Sequence, residues 1–532
     1  VREYPHGNHG VITDAKNPTV ARHHPEDYVT ATIGSIAEAL ENAAGSTGFS
    51  PDRVIGIGLD ATASTPVPLD ENGMPVAFQD RFADNPNAMA WLWKDHSSAA
   101  EAEEITELAG RIRPDYLARI GGTYSSEWFW AKALHCARVS PEVFEGSYTW
   151  AEVSDWLAAY MCGRHAPNTL KRGACAAGHK ALFDERWGGF PEEEFLQELD
   201  PGLVRLRKTL PDTVGSIADT AGTLTGEMAG KLGLPAGIPV ALPAIDAHIA
   251  GVGAGIREKV MVKIVGTSGV DLVIRPADEG SNDIPGVSGI VPDSVVPGLM
   301  TIEAGQSALG DVFNWFVDEL KPGSDGDGGH GPLTEGAGRL QPGETGLLAL
   351  DWHNGNRTIL IDQRLTGMIL GLTLHTKPHQ IYRALLEATA FGGRVILDRM
   401  EEYGVEVERI IACGGIPSKN PLLMQIYADV LNRPIDVAGT EQASALGAAI
   451  SAAVVAGAEA GGYADFTQAI AAMTGVSDTH YLPQQKNRAT YDRLYRLYRD
   501  LHDAFGTDTY EGSLKHVMKE LIELRDAVAT EP

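Results

Sequence analysis

Asp246 stands where the apolar run Val240-Ala241-Leu242 passes through Pro243-Ala244-Ile245 into the helix-like segment 247–251. A carboxylate at the carboxyl end of a parallel strand faces the crevice in which such sheets bind ligands. There it could accept the proton of a hydroxyl group while a phosphoryl group moves onto that oxygen. The same residue also reads as a helix N-cap, a position that Asp fills well. Glu303, in Thr301-Ile302-Glu303-Ala304-Gly305, has the same predicted setting, a strand end opening a helix, and the same second reading. Asp60 closes its own strand and is as readily structural as functional. Lys180, in Gly178-His179-Lys180, is isolated in sequence and is by default solvated. His23-His24 and His6/His9 lack clean metal-ligand spacing, so no metal ligand is assigned.

Two glycine-rich turns offer backbone N–H groups to an anion. Gly266-Thr267-Ser268-Gly269 adds two hydroxyls that can bond phosphate oxygens. It reads equally as an ordinary hairpin whose glycines relax the backbone. Gly414-Gly415, ahead of Ser418-Lys419-Asn420-Pro421, is a strand-to-helix turn that a flat base or a phosphate could approach closely. It reads equally as a plain loop with a capping Ser. Neither is a Walker A motif or a complete G-x-G-x-x-G.

The elements that must position these residues alternate. A helix is predicted over 25–42 and a strand buried on both faces over 54–59, a short apolar run without alternation. Helical patterns follow over 87–110 and 126–138, and 211–237 reads as loop. From 260 onward a hairpin (261–274), a helix over 307–320 and a helix over 381–400 are predicted. A β-α-β-α run then covers 409–456, and residues 485–532 read as helical. Lys321–Pro332 reads as a flexible insertion. Alternation of this kind argues for an α/β fold with mostly parallel central strands, divided near 250–260.

The 532 residues carry 43 Lys and Arg against 71 Asp and Glu, a net charge of −28. That charge argues against nucleic-acid or membrane-surface partners, because no basic patch opposes it. Four scattered cysteines form no disulfide framework and no zinc spacing, which favours a reducing, cytoplasmic setting. The charge-free stretch 442–458 is too short and too rich in small residues to span a membrane.

Taken together, the segments resemble the FGGY carbohydrate kinases, and within them the ribulokinase branch. The matching stretches include Glu3-Tyr4-Pro5-His6-Gly7, Ile55 through Thr65, Leu92-Trp93-Lys94-Asp95-His96 and Ala177-Gly178-His179-Lys180. Further on come Asp246-Ala247-His248, Gly266-Thr267-Ser268, Glu303-Ala304-Gly305-Gln306-Ser307, Ile381 through Gly392, Gly414-Gly415 and Ala443 through Ala449.

The resemblance implies an α/β, two-lobed, actin-like (ribonuclease H-like) ATPase fold. Residues 1–255 would form a sugar-binding lobe, 256–480 an ATP-binding lobe, and 481–532 a helical segment. It implies ATP and Mg²⁺ as cofactors, a small sugar as partner, and room for a homodimer. The reaction implied is phosphorylation of the terminal hydroxyl of L-ribulose, with Asp246 as base and with Ala63, Lys180, Asp246 and Glu303 at the sugar. ATP would meet Gly266, Thr267, Ser268, Gly305, Gly414, Gly415 and Lys419. Family members open with Asp-x-Gly-Thr and Ser-x-Arg, a hairpin that binds Mg²⁺ and phosphates some tens of residues before Tyr4-Pro5-His6-Gly7. Here Val1 stands just ahead of that motif, so the first hairpin of lobe one is expected to be missing. The competing expectations are another kinase of the family, acting on D-ribulose, ribitol, xylulose or glycerol, or a kinase-like binding protein without transfer activity.

Overall fold

The computed structural model describes residues 2–62, 64–277, 283–323 and 328–530. Ala63 and part of the predicted insertion at 321–332 lie outside the described residues.

In the first half, helix α1 (Pro25–Ala43) begins as its sequence dictates. Pro25 occupies the first turn, His24 Nδ1 accepts from the Glu26 N–H, and Glu26 and Asp27 face the positive end of the helix dipole. Strand β1 (Asp60–Ala61) is followed by helices α2 (Ala99–Ile112), α3 (Phe129–Val139) and α4 (Ala174–Ala181). Strands β2 (Pro239–Ala241) and β3 (Ala244–Ile245) then lead into helix α5 (Asp246–Gly253). β1 lies parallel to β3, with Asp60 opposite Ala244 and Ala61 opposite Ile245.

Three local expectations change here. The run 54–59 is not a strand buried on both faces. Among its residues only Ile57 is buried, through a single bridge to Val240. Gly56 and Gly58 carry no side chains to fill the other face, which instead receives helix backbone, as described below. Residues 89–98 are not helical either, and 86–88 form only a single 3-10 turn. Ala90–Trp91 pairs antiparallel with Arg22–His23, the Arg22 guanidinium lies 3.4 Å from the Trp91 ring centroid, and Lys132 Nζ donates to the Trp91 and Leu92 carbonyls. Tertiary pairing overrides the local helical pattern. The segment 211–237 holds a strand, Thr220–Thr223, paired with β2, and a helix, Gly226–Leu232, capped by Thr225 Oγ1.

The second half is built on a seven-stranded sheet. Its strands are β4 (Val260–Val265), β5 (Gly269–Pro276), β6 (Gly289–Pro292), β7 (Leu299–Gln306), β8 (Arg409–Cys413), β9 (Ile435–Ala438) and β10 (Val476–Tyr481). The spatial order is β6-β7-β5-β4-β8-β9-β10, with β4, β8 and β9 mutually parallel and the outer pairs antiparallel. Helices α6 (Pro378–Glu402), α7 (Pro421–Leu431), α8 (Ala443–Ala456) and α9 (Gln485–Gly506) accompany it. α6 is buried along most of its length against a core that includes Tyr427 of α7 and Tyr491 and Tyr498 of α9.

A buried polar chain runs through this core. Lys263 Nζ donates to both Asp271 oxygens (2.9 and 3.1 Å) and to Gln306 Oε1 (3.3 Å). Gln306 Nε2 donates to Asp351 (2.8 Å), whose other oxygen accepts from the Tyr498 hydroxyl (2.7 Å). Removing one member of a buried pair strands the other charge, which costs about 3–5 kcal/mol. Lys263→Met is therefore expected to destabilise the chain by that amount in urea unfolding. Adding Asp271→Leu should recover most of the loss.

The halves meet where α8 lies against α5 and the run 54–59. A Cβ at Gly58, Gly253 or Gly447 would stand closer than 3.0 Å to the carbonyl oxygens of Ala448, Ala443 and Ile249 respectively. The contact is backbone on backbone, and no side chain fits into it. The four cysteines, Cys136, Cys162, Cys175 and Cys413, are buried and unpaired, and burial raises the pKa of each thiol. Among the described residues no helix is long and apolar enough to cross a membrane.

Candidate active site

Asp246 is the first residue of α5, directly after the carboxyl end of β3. The N-cap position belongs to Ile245, so Asp246 does not fill that role. Its Oδ1 accepts from the adjacent Ala247 N–H at 2.7 Å. Burial raises the carboxyl pKa, and the Ala247 bond together with the nearby His248 and Lys180 offsets part of that rise. Its backbone carbonyl accepts from Ser444 Oγ at 3.2 Å, which ties the site to α8. On the neighbouring strand, burial and the charge of Asp246 push the Asp60 carboxyl up to about 6. The two carboxylates form an all-oxygen donor set of the kind hard divalent cations such as Mg²⁺ prefer.

Lys180 is not solvated. It lies buried near the end of α4, with Nζ 3.3 and 3.2 Å from the two Glu303 oxygens. Glu303 in turn does not open a helix. It sits inside β7, opposite Leu272 of β5 and Gly289 of β6. Burial alone would raise its pKa, but Lys180, His248 and His179 outweigh that and hold it well below the usual carboxylate range. The pair lines a cavity of about 700 Å³ together with Trp128, Glu127 and Arg357. Lys180 Nζ lies 5.6 Å from the Trp128 ring centroid.

The two glycine turns emerge side by side. β4 and β8 are parallel neighbours, with Ile264 opposite Cys413, so the turns that follow them leave the same edge of the sheet. The Gly266 and Thr267 carbonyls accept from the Gly310, Leu309 and Asp311 N–H groups, and this anchors the hairpin while Thr267 stays exposed at its tip. Gly414 has φ +101°, and a Cβ there would lie 2.6 Å from the Val265 oxygen. Gly415 faces open space, and Lys419 is exposed. The cap of α7 is Asn420 rather than Ser418, its side chain accepting from the Leu423 N–H. Gly305 is a different case. It is buried within β7, its N–H is donated to Thr358 Oγ1 (2.8 Å), and that donor is not free for a phosphate.

The structure thus joins Lys180 with Glu303, sets Asp246 within their electrostatic reach, and sets the 266–269 turn beside Gly414-Gly415. Ala63 lies outside the described residues. Sequence reasoning missed His179 and His248, which contact Glu303 at 3.0 and 3.4 Å. Their signal was their place inside the same short motifs as Lys180 and Asp246.

The N-terminal domain of the FGGY family of carbohydrate kinases matches residues 6–253, and the C-terminal domain matches residues 261–456. A ribulokinase of Shouchella clausii is 42% identical, over 97% of this chain and 92% of its own. A ribulokinase of Halalkalibacterium halodurans is also 42% identical, over 95% of this chain and 88% of its own. Among solved structures, a xylulose kinase from Rhodospirillum rubrum superposes with a TM-score of 0.70 at 24% identity, covering 93% of this chain and 92% of that one. Plasmodium falciparum glycerol kinase with ADP does so with a TM-score of 0.73 at 17% identity, covering 92% of each. The likeness to these two shows the shared two-lobed, actin-like fold.

Proposed function

Since this chain belongs to the FGGY family of carbohydrate kinases, we propose that it phosphorylates L-ribulose at the terminal hydroxyl, the ribulokinase reaction. It is a sugar kinase, a phosphotransferase that uses ATP. The choice of sugar is supported by identity of about 40% to ribulokinases over nearly the whole chain. The chemistry rests on Asp246, a carboxylate at a strand end beside a buried Lys–Glu pair.

In this reading Lys180 and Glu303, side by side, hold the sugar hydroxyls, one donating and one accepting. Asp246 accepts the proton of the attacking hydroxyl as its oxygen meets the γ-phosphorus. The 266–269 turn, through the Thr267 and Ser268 hydroxyls, holds the phosphates in line, and the open backbone at Gly414-Gly415 admits the adenine, with Lys419 alongside. Phosphoryl transfer draws most of its rate from such positioning and charge stabilisation. Mg²⁺ carried with ATP would supply neutralising charge, with Asp60 and Asp246 as the oxygen groups that would hold it. The cytoplasmic setting and the two-lobe division at 255/256, with a helical segment from 481, belong to the same reading.

The test is ADP release with Mg·ATP and L-ribulose, run beside D-ribulose, ribitol, D-xylulose and glycerol. L-ribulose is expected to give the highest kcat/KM. A higher value for any other acceptor would overturn the choice of sugar.

A further inference from the structure

Three side chains from separate elements bring metal-ligating atoms together: His179 of α4, His248 of α5 and Glu303 of β7. Their donor atoms all lie within 4.8 Å of one another. Nδ1 of His179 is 3.0 Å from Glu303 Oε2, and Nε2 of His248 is 3.4 Å from the same oxygen. Around a tetrahedral ion with bonds of about 2.0–2.2 Å, ligand atoms stand about 3.3–3.5 Å apart. The two His–Glu spacings lie within about 0.5 Å of that range, and the two imidazole nitrogens, no more than 4.8 Å apart, would close onto the ion by small ring rotations.

The hydrogen bonds around the trio admit the tautomer that a metal ligand needs. When Ser294 Oγ donates its proton to the Val291 carbonyl (3.1 Å), it meets His179 Nε2 (3.2 Å) as an acceptor. Nε2 then carries the ring proton, and the Nδ1 lone pair is free for a cation seated beside Glu303. An outer bond of this sort is the usual support of a metal-bound imidazole. The His248 ring is 1% exposed. Neither of its nitrogens, nor Nδ1 of His179, has a well-formed hydrogen bond. Two buried ring nitrogens crowd one carboxylate oxygen without good hydrogen-bond geometry, and a bound cation would account for that arrangement.

We propose that His179, His248 and Glu303 form a binding site for a zinc-class divalent cation, with two imidazoles and one carboxylate as ligands and a fourth position open to water or a hydroxyl. Lys180 sets the strength of this site. Its ammonium lies 3.2 Å from the same Oε2, so the ion competes with it for that oxygen. Affinity should fall below that of closed structural zinc sites, as suits a site that fills only when the metal is plentiful. A corollary rests on the proposed function: with Lys180 and Glu303 at the sugar, ion and sugar exclude one another. The metal site itself does not depend on which sugar binds.

The test is calorimetric titration of zinc chloride into the chelator-treated chain carrying His24→Gln, which removes the other grouping, His6, His24 and Glu26. One equivalent is expected to bind. His179→Gln and His248→Gln, added singly, should each weaken it at least tenfold with unchanged circular dichroism. Lys180→Met should tighten it, and zinc should raise the Tm of that variant more than that of its parent, a change of opposite sign that general loss of structure would not give. Absence of one-to-one binding, or affinity unmoved by both histidine variants, would overturn the site. Zinc affinity that depends on the histidines but is unmoved by L-ribulose would support the site and overturn the corollary.

Discussion

Asp246→Asn is expected to lower kcat by about 10³- to 10⁴-fold, the upper range of what a positioned general base contributes. The substitution keeps side-chain volume, and its amide oxygen can still accept from the Ala247 N–H. It removes the basic lone pair that would take the hydroxyl proton, and with it the charge that Asp246 would offer to Mg²⁺. Replacing a buried carboxylate by a neutral amide does not cost folding, so Tm should hold or rise. ADP affinity, read by calorimetry, should also hold, because the 266–269 and 414–415 turns lie on the other lobe. A variant with parental turnover would mean that the proton leaves by another group.

Gly447→Ala should do its damage by a different route. In a helix interior Ala is favoured over Gly by about 1 kcal/mol. Here the new Cβ would meet the Ile249 carbonyl closer than 3.0 Å, and neither helix backbone can yield without parting α5 from α8. Overpacking of this kind costs about 1–3 kcal/mol, and more where the obstacle is backbone. The clash wins, with a net destabilisation of about 2–3 kcal/mol in urea unfolding and reduced turnover, since Asp246 begins α5. Gly230→Ala is the control. Its Cβ would meet nothing within 4 Å, so the same change there should be neutral or stabilising. Equal effects at both positions would refute the contact's importance.

The contrast between these glycines also marks what the sequence made legible. Helix limits were readable where caps and periodicity are local, as at Pro25–Ala43 and Pro421–Leu431. The hairpin around Gly266–Gly269 was readable from its turn residues. Partnerships across long separations were not. Lys180 gave no local hint that it is buried, because its partner Glu303 lies 123 positions away. Glu303 was expected at a strand end that opens a helix over 307–320; the strand instead runs on to Gln306, and Gly305 lets β5 and β7 approach. The run 54–59 misled for a related reason. Its glycines serve contact with α8, which a pattern of apolar residues does not reveal. His179 and His248 were quoted within motifs yet given no role, because only the fold sets their rings 4.5 Å apart.

The four buried cysteines carry a consequence for watching this molecule work. With each thiol raised by burial, little thiolate is present at neutral pH, and alkylating reagents find poor targets in the native chain. The protein is thus spectroscopically quiet toward thiol-directed probes without any cysteine having to be removed. Cysteines introduced at exposed Glu103, on the wall of the large cavity, and at exposed Lys419, beside the glycine turn, would take up a fluorophore pair selectively. The distance between those labels would report whether the cavity wall and the glycine turn move relative to one another during turnover.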